Sequence, residues 1–220
     1  MGSLTVEGVA ALTSTEELYQ IADELRAVAS GGLLWTDGHY DRERYARILE
    51  ASARLIGTIG GQHPAEILTH FQDNLYHLSP LAGVEVVVVE NGKLLLIQRS
   101  DDKLWALPGG LAEIGETLAE AAQRELWEET GIRGKITKLL GIFDSRLWQT
   151  RTRVQLYGTI FQAEIEGGVA TPSPETLQVD FFDESNLPAL SQGHHLRVPF
   201  VFKMLRGEER VPFFDLRSIQ

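Results

Sequence analysis

The chain has 220 residues, 43% hydrophobic and 23% charged, with a net charge of −11 and no cysteine. That length and balance suit one large globular domain or two modest ones, with enough residues to bury a sizeable core. The missing thiols exclude disulfides, thiolate metal sites and thiol catalysis, and the acidic balance argues against a general nucleic-acid binder, whose phosphate affinity comes from Lys and Arg.

Met1-Gly2-Ser3-Leu4-Thr5 lacks the basic start of a secretory signal, and no apolar run approaches the length of a membrane span. A cytoplasmic chain with no membrane partner is therefore expected. Ser14 followed by Glu17 predicts a capping box, opening a helix with Leu18, Ile21, Ala22, Leu25, Val28 and Ala29 on one side and Gly31-Gly32 as its stop. Asp41 is expected to cap a second helix carrying Tyr45, Ile48, Leu49, Leu55, Ile56 and Ile59, ended by Gly60-Gly61. Pro64 suits the first position of a third, with Ile67, Leu68, Phe71 and Leu75 as its apolar face.

Arg42, Arg44, Arg47 and Arg54 make a local basic patch on this stretch, yet residues 1–79 hold five Arg and no Lys against eleven Asp and Glu. Helical pairs such as Arg47 with Glu43 therefore explain them better than DNA contact does. His63, His70 and His77 repeat every seven residues, too far apart to share an ion on one helix, and read as solvated or interface histidines. Ser79-Pro80 is the expected join between a helical domain, 1–79, and a strand-rich domain, 80–220.

Beyond the join, apolar strands over 84–89 and 94–97 flank Asn91-Gly92, a strong short hairpin signal. Arg99 at the end of the second strand is a candidate phosphate contact, and Trp105 reads as core packing. Pro108-Gly109-Gly110 gives a turn whose bare backbone can approach an ion or a phosphate. A helix follows: Thr117 and Glu120 form a capping box, Leu118, Ala122 and Leu126 an apolar stripe, and Gly131 a C-terminal stop.

On that helix Glu125, Glu128 and Glu129 fall at i, i+3 and i+4, with neighbouring Cβ atoms about 5–6 Å apart. Like charges so placed destabilise a bare helix, and an oxygen-only cluster suits a hard cation, Mg²⁺ or Mn²⁺. Glu116 precedes the helix, where negative charge is favoured, and can pair with Arg124, which lies one turn from Glu120 and Glu128 and can brace the cluster. Strands are then expected over 136–143, 154–165 and 179–182, and a last helix over 198–205. Strands with one helix inserted and one at the end predict an α/β/α sandwich around a mixed sheet.

Gly110, Glu116, Arg124-Glu125-Leu126, Glu128-Glu129 and Gly131-Ile132 match at every fixed position the box of the Nudix hydrolases, which cleave nucleoside diphosphates linked to another group. Gly31-Gly32-Leu33, Tyr40 to Tyr45, Leu104 to Gly110, Pro172-Ser173-Pro174-Glu175 and Leu187 to Ser191 also resemble one Nudix subgroup, with CDP-choline and ADP-ribose pyrophosphatases among its activities. The resemblance implies the sandwich fold preceded by a small all-α domain, a Mg²⁺ or Mn²⁺ cofactor, and the Gly109 carbonyl as a further ligand beside Glu125, Glu128 and Glu129. It favours Glu175 as the general base, with Asp144 and Glu164 as weaker candidates. Glu85 stands near where subgroup relatives carry a basic residue, which leaves the substrate open.

The expected activity is hydrolysis of X-linked nucleoside diphosphates to a nucleoside monophosphate and a phosphorylated X, with a homodimer through the helical domain. A nucleoside triphosphate or capped-RNA substrate is the alternative. A non-catalytic nucleotide sensor is another, although such proteins lose box carboxylates that are all present here.

Overall fold

Val84, Val86 and Val88 alternate with Val87 along one strand, and Leu95 alternates with Leu94 and Leu96 along the next. Each strand therefore offers apolar side chains to both faces of a sheet, the pattern of a strand covered on two sides. In the computed structural model, which describes residues 14–216 apart from 151 and 153, these are β1 (Leu81–Glu90) and β2 (Lys93–Arg99). Asn91 and Gly92 both take positive φ, 52° and 78°, as a tight hairpin turn requires.

The remaining strands are β3 (Trp105–Ala106), β4 (Gly109–Leu111), β5 (Ile132–Asp144), β6 (Leu156–Gly168), β7 (Thr176–Phe182) and β8 (Phe213–Phe214). The sheet runs β3-β2-β1-β6-β5-β8, with β4 paired to β1 and β7 to β2. β1 with β6 and β5 with β8 are parallel and the other pairs antiparallel, so the sheet is mixed. Helix α4 (Leu118–Thr130) covers one face through Ala121, Ala122 and Leu126 against Val84, Val86 and Leu95. Helix α5 (His194–Leu205) covers the other through Val198, Val201 and Phe202 against Val87, Leu94 and Leu140. This is the α/β/α sandwich expected from the order of elements.

The chain divides into two compact units, one ending at Ser79 and the other beginning at Pro80. The first holds α1 (Thr15–Trp35), α2 (His39–Gly60) and α3 (Pro64–Asp73), closed around Ala29, Leu49, Ala53 and Phe71. Ser14 caps α1 by accepting from the Glu17 N–H, and Pro64 opens α3.

Several expectations are corrected. Gly31 and Gly32 do not stop α1, which runs on to Trp35. A Cβ on Gly32 would lie 2.3 Å from the Tyr45 ring, so this glycine lets α1 and α2 approach closely. Asp41 does not cap α2: the helix begins at His39, and Asp41 sits in its first turn paired with Arg44 at 2.7 Å. His77 is not a solvated histidine, since its Nε2 lies 2.7 Å from Asp23 Oδ1 with both side chains largely buried.

Helix α5 starts at His194, a turn earlier than expected, with Pro199 inside it. β5 and β7 begin earlier than expected, at Ile132 and Thr176, with Gly134 inside β5 rather than before it, whereas β6 is displaced toward the C-terminus, running from Leu156 to Gly168. β3, β4 and β8 are too short to carry a readable alternation. The reading of Met1 to Thr5 lies outside the described residues.

Candidate active site

α4 is delivered to the sheet by local chemistry legible in its ends. The Thr117 hydroxyl accepts from the Glu120 N–H, and the Glu120 carboxylate accepts from the Thr117 N–H at 2.8 Å, so the capping box forms in both directions. Gly131 closes the helix in the left-handed region, φ 69°. Its apolar stripe fixes the rotation, and that places Arg124, Glu125, Glu128 and Glu129 along the edge facing β4.

β4 pairs with β1 so that Glu85 lies opposite Gly109 and Val84 opposite Gly110. The Gly109 N–H donates to Glu129 Oε2 at 2.7 Å, fixing that carboxylate over the strand. A Cβ on Gly110 would stand 2.3 Å from Glu125 Oε1, so the carboxylate occupies the space that a side chain would fill. A Cβ on Gly109 would instead meet the Val84 carbonyl oxygen at 2.1 Å. Both glycines are therefore required by close approach, one to a side chain and one to backbone.

Arg124 organises the acidic residues. Its Nε and Nη2 donate to the two oxygens of Glu116 at 2.7 and 3.0 Å, its Nη1 donates to Glu125 at 2.8 Å and to Glu128 at 3.0 Å, and Nη2 also reaches the Leu111 carbonyl. Glu116 also accepts from the Glu113 N–H. The Arg124 bond and that N–H hold its carboxyl at about 2, well below the ordinary range.

Glu129 behaves in the opposite way. Burial pushes its carboxyl up to about 8 against the Gly109 N–H; the Glu125 and Glu175 charges add to the rise, and Arg99 opposes it. Glu125 is also raised, by burial first, with Glu128 and Glu175 contributing against Arg124. Glu175 thus shares the field of both glutamates. Its loop is tied to α4 by Thr176, whose hydroxyl donates to the Glu129 carbonyl at 2.9 Å.

The donor set fits a hard divalent ion: carboxylate oxygens only, with Glu129 half-buried against a strand that lacks Cβ atoms at Gly109 and Gly110. Glu125, Glu128 and Glu129 are the residues that could hold it. Among the described residues no three such groups converge as they stand. Arg124 engages Glu125 and Glu128, and Gly109 engages Glu129, so gathering them on an ion means exchanging some of those bonds.

A cleft of about 510 Å³ opens beside Glu129, within the usual span of small-molecule sites. Gly109, Gly110, Arg99, Asp101 and Asp102 line it. Arg99 lies in the wall as expected, but its Nε and Nη2 donate to Asp101 at 3.0 and 2.8 Å, so much of its charge is already matched. Ser191 donates to Asp102 at 2.8 Å and ties the two loops that frame the opening.

The weaker base candidates lie elsewhere. Asp144 is clamped by Arg146 at 2.6 Å, and Glu164 projects from β6 opposite Lys135 of β5. Trp105 packs edge-on against Phe182 in the core, as expected.

One group of cleft residues was missed from the sequence: Arg197, together with the pairing of His194 and Glu85. Two signals pointed to it, a lone carboxylate inside an otherwise apolar β1 and a His and an Arg at i, i+3.

Comparison with known proteins agrees with this geometry. The NUDIX domain family matches residues 80–203, and the family described as the UDP-X-like, N-terminal oligomerisation domain matches residues 16–71. A Bacillus subtilis (strain 168) protein provisionally named ADP-ribose pyrophosphatase is 31% identical over 197 residues, 88% of this chain and 95% of its own length. The ADP-ribose pyrophosphatase of Methanocaldococcus jannaschii is 36% identical over 121 residues, 54% of this chain and 70% of its own. The crystal structure of a UDP-X diphosphatase superposes with a TM-score of 0.56 at 25% identity, covering 89% of this chain and 97% of that one. Box, fold and relatives coincide: the chain belongs to the Nudix hydrolase family, as a pyrophosphatase-type enzyme whose catalytic domain follows a helical N-terminal domain.

Proposed function

We propose that the chain hydrolyses the pyrophosphate bond of nucleoside diphosphates linked to a second group, of the ADP-ribose, CDP-choline or UDP-X kind, using Mg²⁺ or Mn²⁺. The products are a nucleoside monophosphate and a phosphorylated X. The observation that carries this reading is the half-buried Glu129 carboxylate, held by the Gly109 N–H with Glu125 and Glu175 in its field, at the edge of a cleft large enough for such a substrate.

An ion held there by Glu125, Glu128 and Glu129, with the Gly109 carbonyl as a further oxygen, would neutralise the diphosphate and make water a better nucleophile. The protein's own part is positional. The Gly109 N–H fixes Glu129, and Arg124 holds Glu125 and Glu128 while Glu116 holds Arg124. Gly131 and the capping box keep α4 in register with β4. Glu175, on the loop that Thr176 ties to α4, takes the proton from the attacking water. Arg99, pinned by Asp101 in the cleft wall, offers its remaining positive field to a phosphate oxygen.

The N-terminal domain joins two copies into a homodimer, a reading supported by the description of its matching family and by the exposed Trp35 and Tyr76, each 78% accessible. A panel of ADP-ribose, CDP-choline, UDP-glucose, 8-oxo-dGTP and capped RNA with Mg²⁺, resolved by product chromatography, tests the substrate class. Turnover confined to the linked diphosphates is expected. Turnover confined to the triphosphate or the cap would move the assignment there, and binding without turnover across the panel would make the chain a sensor.

A further inference from the structure

A charged cluster lies in the cleft wall outside the α4 glutamates. Glu85 leaves β1 toward α5, as its alternation with Val84 and Val86 dictates. Arg197 Nη2 donates to Glu85 Oε1 at 2.5 Å, and its Nη1 donates to Thr150 Oγ1 at 2.7 Å. His194 Nε2 lies 3.3 Å from the same Glu85 oxygen and 3.3 Å from Arg197 Nη2. His194 and Arg197 are only 6% and 4% exposed, and all four residues line the cleft.

Packing alone does not explain the cluster. The neighbouring positions on this face, Val87, Val198 and Val201, close the β1–α5 layer with apolar groups. Burying an ion pair costs several kcal/mol per ion and is often no more stabilising than an apolar set of the same volume. The cluster is also incomplete. Glu85 Oε2, His194 Nδ1 and Arg197 Nε are buried without a hydrogen-bond partner among the described residues, where nearly all buried polar atoms in folded proteins have one.

Those three atoms supply an acceptor, an imidazole nitrogen whose role follows its tautomer, and a donor. The carboxylate and guanidinium cancel each other's charge. This part of the cleft therefore offers hydrogen bonds without net charge, whereas the Glu129 part needs a cation before it can accept an anion.

We propose that Glu85, His194 and Arg197 form a base-reading subsite, which hydrogen-bonds the donor–acceptor edge of the nucleobase while the diphosphate lies toward Glu129. The inference rests on the substrate class given under Proposed function and adds which end of the substrate meets which wall. An uncharged planar edge carrying N–H beside C=O or ring nitrogen matches the acceptor and donor groups of these three cleft-lining residues. It reaches the orphaned atoms, which are buried as they stand, through a shift of the side chains that carry them. A phosphate or a choline does not match that pattern. Because the site is built to bond such an edge, a base with the wrong pattern leaves buried polar atoms unpaired, which is how polar pockets discriminate.

The test compares UDP-, CDP-, ADP- and GDP-glucose, which differ only in the base, with the pair ADP-ribose and ADP-glucose, which differ only in X. In Glu85→Gln the kcat/KM ratio between the best and worst base should change by about tenfold or more, while the ratio between the two X groups stays within about threefold. Base ratios equal to wild type, with all rates falling together, would overturn the subsite. So would a change confined to the X ratio.

If the folded wild type cleaves no member of the set, the substrate class has failed, and metal-free nucleoside binding by saturation-transfer NMR judges the subsite separately. A preference among uridine, cytidine, adenosine and guanosine that Glu85→Gln abolishes supports it; no binding, or the same preference in both proteins, refutes it. Should Glu85→Gln fail to fold, Thr150→Val, which removes only the hydroxyl held by Arg197, carries the same comparison with the same outcomes.

Discussion

Burial holds the Glu129 carboxyl at about 8 in the metal-free chain, against 4.5 for an ordinary glutamate. Its folded-state pKa is raised, so between about pH 4.5 and 8 the unfolded chain is already ionised while the folded chain keeps its proton. Stability is then lost progressively as pH rises through that window, and the penalty is complete above it. Glu129→Gln removes the ionisation but can still accept from Gly109, so at pH 8.5 without metal it should unfold later in urea than wild type, by roughly 1–3 kcal/mol, with the gap closing toward pH 4. Equal midpoints across the range would mean that Glu129 carries no buried charge.

Arg124 tests the neighbouring claim. Its fork meets Glu116, Glu125 and Glu128 at once, which an ammonium cannot reproduce. Arg124→Lys should fold and lose roughly 10–100-fold in metal affinity or kcat/KM, the usual cost of removing a group that orients ligands. Calorimetric Mn²⁺ titration showing wild-type affinity, together with wild-type kinetics, would reduce Arg124 to a surface ion pair.

The approach of β4 to α4 is what turns a helix with acidic residues into a site. Gly110→Ala places a methyl against the movable end of Glu125, so the chain should stay folded while activity falls. Gly109→Ala meets the Val84 backbone instead and should cost stability, roughly 1–3 kcal/mol in urea denaturation, as overpacking does. The reverse pattern would show that Glu125 does not sit where the strand places it.

The elements differ in how far they could be read in advance. α4, its caps and the hairpin at Asn91-Gly92 were legible because each depends on neighbours a few residues away. The stop expected at Gly31-Gly32 failed because Gly32 answers to Tyr45 across a helix contact, not to its own chain direction. The Glu85, His194 and Arg197 cluster was hidden for a related reason: it joins positions more than a hundred residues apart, and α5 began a turn before the apolar pattern that announced it. Glu129 was visible as one of three acidic neighbours, but its burial under Gly109 required β4, a three-residue strand with no pattern of its own.

The two units coincide with the two family matches, residues 16–71 in the first and 80–203 in the second, and we propose assembly for the first and chemistry for the second. Light scattering on the full chain should give a dimer mass, and substitution of Trp35 and Tyr76 by Ser should shift it toward a monomer with the catalytic domain still folded. A monomeric wild type would remove the helical domain from assembly. The net charge of −11 adds a constraint on the catalytic side. An anionic substrate would approach an acidic protein, so the positive field that draws it in must be local, and a divalent ion at the α4 glutamates would supply one.

³¹P NMR of ADP-ribose or UDP-glucose incubated with the chain and Mg²⁺ follows the bond itself. The diphosphate signals should give way to two phosphate monoester signals, with no conversion when EDTA replaces Mg²⁺ or Glu129→Gln replaces wild type. Unchanged diphosphate across the linked nucleotides, or conversion that persists with EDTA or in Glu129→Gln, would contradict metal-dependent cleavage at this cleft.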